Sequence, residues 1–413
     1  MNARVPSNRL LSINNYYYRR GGAEVVFLEQ NRLFEEIGWE VIPFAMQHPK
    51  NQPSPWQNYF VDEIEFGHNY SLSSKLGMAG KIVFSTEARK KIGALVEQTR
   101  PQIAHAHNVY HHISPSIFGA LKQRGIPTVL TLHDLKIACP AYKMLTHDGI
   151  CERCKGGKIW NVLTNRCLKG SATVSAVALA ESVVNRLMGS YTRSVDRFVV
   201  PSQFFIEKFV EWGYPRERFV HIPNFVNADS VRPAGDPGAA FTFFGRLGPE
   251  KGLNTFVRAV AKAGVQGRIV GTGPEEQALQ ALAASLGADI EFLGYRSGEA
   301  LFDAIRTSRA VVLPSEWYEN APMSVMEAYA LERPVIGAAI GGISELMRRG
   351  ETGELFESGN VDALTEVLRA FAAKTSSEIA AMGKAARTWM VKDFTDTRYR
   401  ERMLALYDDM GVR

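Results

Sequence analysis

Two acidic side chains stand eight positions apart in the segment WYENAPMSVMEAYA, residues 317–330. Glu319 and Glu327 flank Pro322 and a short apolar run, a pattern typical of the first turn of a buried helix. A carboxylate accepts hydrogen bonds and can bind vicinal hydroxyl groups such as those of ribose. Free N–H groups at a helix start attract a phosphate or a hydroxyl-bearing ligand. Proline lacks an N–H, so the amides predicted to serve are those of Ala321, Met323 and Ser324, and Asn320 is a further candidate for ligand binding.

Two cations follow a predicted strand in FFGRLGPEKG. Gly245 ends the strand, and Arg246 and Lys251 stand five residues apart around a Pro-Glu turn. Arginine offers a fork of donors and lysine a mobile point charge, so the pair is suited to hold a diphosphate from two sides. The alternative is two surface cations that cap loops.

Three further glycine turns follow predicted strands, where glycine lets a ligand approach the backbone. They are RRGGAE with Gly21 and Gly22, VGTGPEE with Gly271 and Gly273, and AAIGGISE with Gly341 and Gly342. The second resembles half of a dinucleotide fingerprint, but Glu276 replaces the third glycine of G-x-G-x-x-G. The sequence therefore lacks a complete dehydrogenase motif.

The elements that position these groups alternate between strand-like apolar runs and helical periods, which predicts α/β units around parallel sheets. A Gly- and Pro-rich stretch, IPNFVNADSVRPAGDPG, interrupts the series and predicts a linker. We predict two doubly wound Rossmann-like domains, 1–220 and 221–390, and a C-terminal helix within 391–413 that returns to the first domain. Ligands bind at the carboxyl ends of such strands, so a central cleft between the domains is the expected site. Eleven strands are predicted: RLLSINN, EVIPFAM, IAHAHN, PTVLTLHD, RFVVPS, FVHIPN, FTFFGRL, RIVGTG, EFLGY, AVVLPS and PVIGAA.

Charge is distributed unevenly along the 413 residues. Residues 1–220 carry 27 Lys and Arg against 18 Asp and Glu, a net of +9, while residues 221–413 carry 21 against 25, a net of −4. A basic half suits an anionic partner such as lipid headgroups, phosphate or nucleic acid, or is simply a solvated surface. The stretch 74–99 is an amphipathic segment, predicted either to lie at a membrane interface or to pack as an ordinary helix. No apolar run spans a membrane and the N-terminus lacks a signal-peptide core, so we expect a cytoplasmic protein.

All four cysteines lie within 29 positions, at the spacing C-x₁₁-C-x₂-C-x₁₂-C. Disulfides are unusual in the cytosol, and this spacing resembles a tetrahedral structural zinc site. The alternative is four reduced, partly buried thiols. The residues concerned are Cys139, Cys151, Cys154 and Cys167.

The ordered motifs together resemble those of the family 4 retaining glycosyltransferases of the GT-B fold. They are GG after the first strand, TLHD, GRLGPEKG, VGTGP and E-NAPMSVM-E, and they extend over essentially the whole chain. Glu319 and Glu327 match the E-x₇-E signature of that family. The resemblance implies a donor that is a nucleoside diphosphate sugar, held mainly by the second domain.

Carried over position by position, the resemblance assigns roles to individual residues. Arg246 and Lys251 would bind the departing diphosphate, Glu319 the sugar hydroxyls and Glu327 the ribose. His133 would hydrogen-bond the donor sugar, although a structural histidine is the plain alternative. Gly245 and Gly273 end strands at the same ligand, Gly22 would approach the diphosphate, and Tyr295 and Arg296 occupy the base position.

The predicted reaction needs no metal, because no D-x-D triplet is present and Arg246 with Lys251 would replace its charge. The acceptor would be a glycan or a polyprenyl-phosphate-linked molecule, met by Tyr110 or His111 and by the basic residues around the cysteines. Assembly of a surface polysaccharide, with contact to an anionic membrane at its inner face, is the expected setting. Two alternatives stay open: a zinc-stabilised nucleic-acid binding protein and a nucleotide-dependent oxidoreductase.

Overall fold

The computed structural model describes residues 8–64, 72–228, 231–233 and 235–412, with the backbone alone for 72–76. The chain divides into two compact units. The first contains the described residues up to Pro201, then Phe205–Ile222 and the chain from Arg400 onward. The second contains Ser202–Phe204 and Pro223–Tyr399. The predicted domain limits were 220 and 390, and the cleft predicted between the domains stays a prediction.

The first unit is built on a six-stranded parallel sheet of order β2-β1-β3-β4-β7-β8. The order reverses between β1 and β3, which places a topological switch point at their carboxyl ends. Its strands, with a short hairpin β5–β6, are β1 Arg9–Ile13, β2 Glu40–Phe44, β3 Ile103–Ala106, β4 Thr128–Thr131, β5 Leu145–Thr146, β6 Gly149–Ile150, β7 Arg197–Val200 and β8 Phe219–His221. The helices up to the last of these strands are α1 Gly22–Glu36, α2 Leu72–Val83, α3 Thr86–Thr99, α4 Ser116–Gln123, α5 Asn161–Thr164, α6 Ala172–Met188 and α7 Gln203–Glu211.

The second unit repeats this architecture with the strand order β11-β10-β9-β12-β13-β14, again fully parallel. The chain winds outward from β9 in both directions, so the switch point lies between β9 and β12. Its strands are β9 Phe241–Phe244, β10 Gly267–Val270, β11 Ile290–Gly294, β12 Ala310–Leu313, β13 Val335–Ala338 and β14 Gly353–Phe356. The remaining helices are α8 Leu253–Ala263, α9 Glu276–Leu286, α10 Glu299–Arg306, α11 Met323–Ala330, α12 Val361–Ala373, α13 Ser376–Asp393 and α14 Asp396–Asp409.

Both faces of the second sheet are covered by apolar side chains. Phe241 and Phe243 point into one core cluster, while Phe244 points into the other. Val311 and Val312 on the neighbouring strand divide in the same way. Strands buried on both faces have continuous apolar sequences instead of alternating ones, which is why the sequence signal for them was strong.

All eleven predicted strands are confirmed, whereas β14 and the hairpin β5–β6 were not predicted. The segment of β14, GELF, contains a glycine and a glutamate in four residues, so it carries little of the apolar signal. Residue 391, the predicted start of the C-terminal segment, lies inside α13, and the last helix begins at Asp396.

The stretch 74–99 forms parts of two helices, α2 and α3, and not the single helix that the sequence predicted. A break separates α2 from α3, and the Ser85 side chain accepts a hydrogen bond from the Ala88 N–H as the N-cap of α3. The packed face of α3 includes Ile92 and Leu95, both fully buried. Side chains 74–76 of this stretch, and residues 1–7 of the N-terminal segment considered as a signal peptide, lie outside the description. Among the described helices, none is both long and apolar enough to span a membrane.

Candidate functional site

The loops after β9 and β12 carry the predicted cations and the first predicted acid of the second unit. The carboxyl ends of these neighbouring parallel strands flank the switch point, where ligands of doubly wound sheets bind. The backbone N–H of Glu316 donates to the carbonyl of Glu250 at 3.0 Å. Gly252 has φ +66°, and a Cβ there would lie 1.8 Å from the Pro314 carbonyl oxygen. Glycine is therefore required for the close approach of the two loops.

Lys251 and Glu319 form an ion pair where these loops meet. The lysine Nζ lies 2.7 Å from Glu319 Oε1, and Ser315 Oγ donates to the same oxygen at 2.8 Å. Burial opposes ionisation of Glu319, but the charge of Lys251 and the surrounding hydrogen bonds together hold its pKa below the usual value. Lys251 Nζ also lies 5.3 Å from the centre of the Trp317 ring. This arrangement fixes a cation beside an ionised, buried carboxylate.

Arg246 is held by a different acid, Glu250, four residues further along the same loop. The Glu250 side chain is buried, whereas the Arg246 side chain is 53% exposed. One edge of the guanidinium thus faces the protein while much of the group is accessible to solvent. An anion can approach Arg246 without the loss of this anchoring pair.

The turn with Gly341 and Gly342 supports the backbone of Glu319. Gly341 has φ +59°, and a Cβ there would lie 2.4 Å from the Glu319 carbonyl oxygen. A Cβ on Gly342 would lie 1.8 Å from the carbonyl oxygen of Asn320. The N–H of Gly342 donates to the Glu319 carbonyl at 2.8 Å. The fourth glycine motif of the sequence therefore acts through packing against the acid-bearing loop.

Glu327 lies in the second turn of α11, and its side chain is only partly accessible to solvent. Within the described part of the chain, its carboxylate has no hydrogen-bond donor and no ion-pair partner. Burial raises the pKa of Glu327 to about 7. A half-buried acceptor without a protein donor is suited to bind hydroxyl groups of a ligand.

The start of α11 lies directly after Pro322. Pro322 is the N-cap with extended backbone, φ −64° and ψ 123°, and the helix begins at Met323. The N–H of Val325 donates to the Pro322 carbonyl, and Met323 and Ser324 are partly exposed. Ala321 is buried, and its carbonyl accepts a hydrogen bond from Asn224 Nδ2 at 2.9 Å.

The glycines after β9 and β10 serve contacts within the protein. Gly245 has φ +144°, and its carbonyl oxygen would lie 1.9 Å from a Cβ on Gly271. A Cβ on Gly273 would lie 2.4 Å from the Leu247 carbonyl oxygen. The two loops thus pack backbone against backbone, which explains these glycines without a ligand.

Tyr295 and Arg296 follow β11, one strand further from the switch point than β10. Both residues are exposed, and the Tyr295 side chain is 71% accessible. The predicted role at the base of a nucleotide is not tested by these positions.

The Gly21–Gly22 turn of the first unit follows β1, and Gly21 is the N-cap of α1. Its backbone is extended, with φ −158°, and a Cβ would meet only a Glu24 carboxylate oxygen at 3.4 Å, an ordinary contact. No contact within the described protein therefore demands glycine at position 21. Glu24 is buried in the first turn of α1, and burial raises its pKa.

Three histidine rings stack at the carboxyl ends of β3 and β4. His107 lies between His105 and His133, with ring centres 4.9 Å and 5.2 Å apart, and His107 Nδ1 is 2.9 Å from His133 Nε2. Burial lowers the pKa of His105 to about 3 and that of His133 to about 4, so the rings are neutral at pH 7. His107 Nε2 is buried and has no hydrogen-bond partner among the described residues.

The predicted acceptor residues belong to a buried polar cluster of the first unit. Tyr110 donates to Asp134 Oδ1 at 3.2 Å, and burial raises the pKa of Asp134 to about 6. Lys136 Nζ pairs with Glu181 Oε2 at 2.8 Å, and both side chains are buried. His111 Nδ1 lies 3.9 Å from the same Glu181 oxygen.

All four cysteines line one small cavity in the first unit, together with apolar side chains and two asparagines. None of the four is in a disulfide, and Cys139 and Cys154 are buried. In the part of the chain that the structure describes, no three His, Cys, Asp or Glu side chains already stand in a metal-ligating arrangement. The zinc site therefore stays a prediction.

Sequence reasoning did not predict the partners of the two cations or the polar groups around His133. The segment GRLGPEKG contains Glu250 four residues after Arg246. Oppositely charged side chains at this spacing can form an ion pair, so this partner could have been predicted. Ser315 and Trp317 precede Glu319 in the same loop. The pairing of Lys136 with Glu181 joins residues 45 positions apart and left no local signal.

Family models match both halves of the chain. The model described as Glycosyltransferase Family 4 matches residues 20–230, and the one described as Glycosyl transferases group 1 matches residues 230–389. The fold is the two-domain α/β GT-B class of sugar-transferring proteins. The chain belongs to glycosyltransferase family 4.

Individual relatives agree with this assignment. A phosphatidyl-myo-inositol mannosyltransferase of Mycobacterium leprae is 33% identical over 36% of this chain and 43% of its own. The putative colanic acid biosynthesis glycosyltransferase WcaL of Escherichia coli is 26% identical over 52% of this chain and 57% of its own. These alignments thus cover less than two thirds of either relative. The structure of Anabaena Alr3699/HepE in complex with UDP-glucose shares the fold, with a TM-score of 0.66 and 16% identity over 97% of this chain and 99% of that chain.

Proposed function

We propose that this protein transfers a sugar, with retention, from a nucleoside diphosphate sugar to a glycan or a polyprenyl-phosphate-linked acceptor. The observation that carries the proposal is the Lys251–Glu319 pair at the switch point of the second sheet. Two further features support it: the accessible guanidinium of Arg246 and the unpartnered, half-buried carboxylate of Glu327. UDP-glucose bound in the HepE structure, which has the same fold, supports a nucleotide-sugar donor.

In this proposal each group of the second unit contacts one part of the donor. Lys251 and Arg246 bind the diphosphate, and the N–H groups of Met323 and Ser324 add donors at the start of α11. Glu319 accepts hydrogen bonds from sugar hydroxyls through Oε2, because Lys251 and Ser315 both contact the other carboxylate oxygen, Oε1. Glu327 accepts the ribose hydroxyls.

The proposed reaction breaks the bond between the anomeric carbon and the diphosphate oxygen. The acceptor hydroxyl attacks that carbon from the face that the diphosphate leaves, and its proton passes to the departing phosphate. Negative charge grows on the leaving group, so a fixed cation lowers the barrier more in the transition state than in the ground state. Lys251 is already held in place by Glu319 and needs little reorganisation. No added divalent metal is required in this scheme.

The first unit supplies two features that suit the acceptor and the donor phosphate. Gly21 has no internal steric reason to be glycine, which supports close approach of a ligand to this backbone. His133 and the cluster of Tyr110 and His111 lie after β4 and β3 of the same sheet. We assign His133 to the donor sugar and the cluster to the acceptor.

The proposed acceptor is bound to the inner face of an anionic membrane in the assembly of a surface polysaccharide. WcaL, a relative, is named for colanic acid biosynthesis, which supports this setting. Exposed apolar side chains lie on α6 and on the segment just before α5. Helix α5 itself packs against α6. The exposed side chains include Trp160, Val183 and Leu187, with exposures of 55%, 39% and 75%. Lys158, Arg166 and Lys169 are exposed in the same region and suit anionic headgroups.

A thermal-unfolding screen of the full chain with UDP, GDP and their sugars tests the donor side. The cognate nucleotide should stabilise the protein by about 2.7 kcal/mol at a hundredfold excess over Kd. Lys251→Ala should remove most of this stabilisation and lower sugar transfer by about 10²-fold, measured as nucleoside diphosphate release without added metal.

Lys262→Ala is the matched control, since Lys262 forms a solvent-exposed pair with Asp362 on the same unit. Nucleotide binding and turnover of this variant should equal those of the native chain. Equal behaviour of the two lysine variants would contradict the proposal. Duplex DNA and nicotinamide dinucleotides in the same screen test the nucleic-acid and oxidoreductase alternatives, neither of which the family assignment favours.

A further inference from the structure

The four cysteines belong to one segment of the first unit, and their thiols have no role in the proposed transfer reaction. The segment covers residues 139–167, between the end of β4 and the start of α6. Its regular structure consists of two strands of two residues, a 3₁₀ turn at Lys155–Gly157 and the four-residue helix α5. We call this segment the cysteine lobe.

The backbone of the cysteine lobe contains several strained positions. Tyr142 and Met144 have φ of 57° and 46°, and Arg166 has φ of 46°, although none is glycine. Non-glycine residues in the left-handed region cost free energy and persist when the surroundings fix them. The elements of the lobe are only two to four residues long, and a cross-link would help its few buried apolar side chains, such as Met144 and Val162, to hold this backbone.

The thiols are gathered around one cavity instead of being scattered through the lobe. Cys139, Cys151, Cys154 and Cys167 all line it, with Val162 and Met144 as apolar neighbours. The chain contains four cysteines in all, so every thiol of the protein faces this one cavity.

We propose that Cys139, Cys151, Cys154 and Cys167 bind one structural zinc ion as thiolates. Zinc favours four tetrahedral ligands at structural sites, and four thiolates form a closed set with no open coordination position. The thiols are not yet in a ligating arrangement in the described structure, so binding must draw the four sulfurs toward the cavity centre. The thiol protons leave to solvent when the metal binds.

Burial raises the pKa of Cys139 to about 11 and that of Cys154 to about 12, whereas several donors and cations around the cavity act in the opposite direction. Backbone N–H groups of Ala141 and Met144 are within hydrogen-bond reach of the Cys139 sulfur. Lys136 acts electrostatically on Cys139, Arg186 on Cys154 and Arg153 on Cys167. One zinc ion with four thiolates carries a net charge of about −2, and outer cations and N–H donors of this kind stabilise such sites.

The zinc would brace the polar cluster near β4. Lys136 precedes the lobe and binds both the Pro140 carbonyl, at 3.0 Å, and Glu181 of α6. Tyr214 donates to the Ile137 carbonyl in the same region. The lobe therefore connects directly to the residues that hold Tyr110, His111 and Asp134 in place.

Metal analysis of the native full chain, purified without a metal-affinity step, tests the proposal. We expect close to one zinc per chain and thiols that react slowly with a disulfide reagent until the protein is unfolded. Replacement of the metal by Co²⁺ should give the visible and charge-transfer absorption of a tetrahedral thiolate site. The double variant Cys151→Ser/Cys154→Ser should lose the metal, and Lys158→Ala, an exposed change in the same lobe, should keep it.

Several outcomes would overturn the zinc site. A native chain without metal whose four thiols react at once with the reagent contradicts it, as does a mass four hydrogen atoms lighter, which indicates two disulfides. If the double variant retained its full zinc content, the metal would bind at a site other than the four cysteines. Because Arg246 and Lys251 lie in the second unit, stabilisation by a nucleotide should persist in the double variant. Failure of the zinc proposal is thus distinguishable from failure of the proposed transfer reaction.

Discussion

Glu327 combines two properties that are costly in a folded protein. Its carboxylate is half-buried, and it lacks a hydrogen-bond donor within the described residues. Lys251 and Glu319 show the opposite arrangement, in which each charge has a partner at 2.7 Å. A group that destabilises the free protein and is suited to a ligand is typical of a binding site. The proposal therefore predicts that removal of the Glu327 charge stabilises the protein and weakens nucleotide binding.

Glu327→Gln should be more stable than the native chain at pH 8 by about 1–2 kcal/mol. The raised pKa means that the folded chain binds a proton which the unfolded chain has lost. The contribution of Glu327 to the free energy of unfolding is therefore fully present below pH 4.5 and is lost as the pH rises through 7. Denaturant unfolding at pH 5 and pH 8 measures the difference, which should shrink at pH 5.

The same variant should bind the cognate nucleoside diphosphate about tenfold more weakly at pH 8, because a neutral amide accepts weaker hydrogen bonds from ribose hydroxyls. Glu366→Gln, an exposed change on α12, should alter neither quantity. A Glu327→Gln chain with native affinity and a native pH profile would remove Glu327 from the site.

At the scale of elements, the site of the second unit depends on loops that touch through their backbones. The loops after β9, β10, β12 and β13 approach so closely that a methyl group would collide at Gly252, Gly271, Gly273 and Gly342. These glycines allow the loops to pack closely against each other, and in the proposal they affect ligand binding only through the position of those loops. The position of Glu319 thus depends on a turn more than twenty residues further along the chain.

Gly342→Ala should displace the Glu319–Asn320 backbone, because the new Cβ would lie 1.8 Å from a carbonyl oxygen. We expect a loss of about 2 kcal/mol in the free energy of unfolding and a nucleotide affinity about tenfold lower. Gly80→Ala is the control, since nothing lies within 4 Å of the added carbon on α2. It should leave affinity unchanged and slightly stabilise the helix. Identical affinities of the two variants would refute the supporting role of this turn.

At the scale of the whole molecule, charge and apolar exposure coincide in the first half of the chain. Residues 1–220 carry a net charge of +9 and residues 221–413 a net of −4. The exposed apolar residues from Ile150 to Met188 fall in the basic half. This combination is typical of proteins that bind an anionic membrane surface reversibly.

Vesicles of phosphatidylcholine and phosphatidylglycerol should bind the full chain at low ionic strength and release it as salt screens the charges. The double variant Trp160→Ser/Leu187→Ser should bind about tenfold more weakly, because it loses apolar surface that enters the interface. Leu286→Ser, an exposed apolar change in the second unit, is the control in a co-sedimentation assay. Equal binding of both variants would exclude the α6 region as the contact surface.

Much of the fold was predictable because parallel strands buried on both faces are continuous apolar runs. The same reasoning failed for β14, whose segment GELF has only two large apolar residues, and it did not predict the break before α3, where Ser85 is the N-cap. The residues proposed for the donor side were chosen one by one, from acids, cations and glycines after strands, and their roles stay a prediction. Their partners were not predicted, since Lys251 and Glu319 are 68 positions apart and meet only across β9 and β12.

The sequence by itself determined the α/β class, the strands and the types of residue available for chemistry, because periodicity and residue type are local properties. The tertiary structure decided which of those residues meet, since sheet order brings distant loops to the same edge. It also decided which glycines serve packing and which carboxylate is left without a donor. Burial and pairing depend on neighbours distant in the chain, and this is why Glu319 is ionised beside a lysine while Glu327, eight residues later, has a pKa near neutrality.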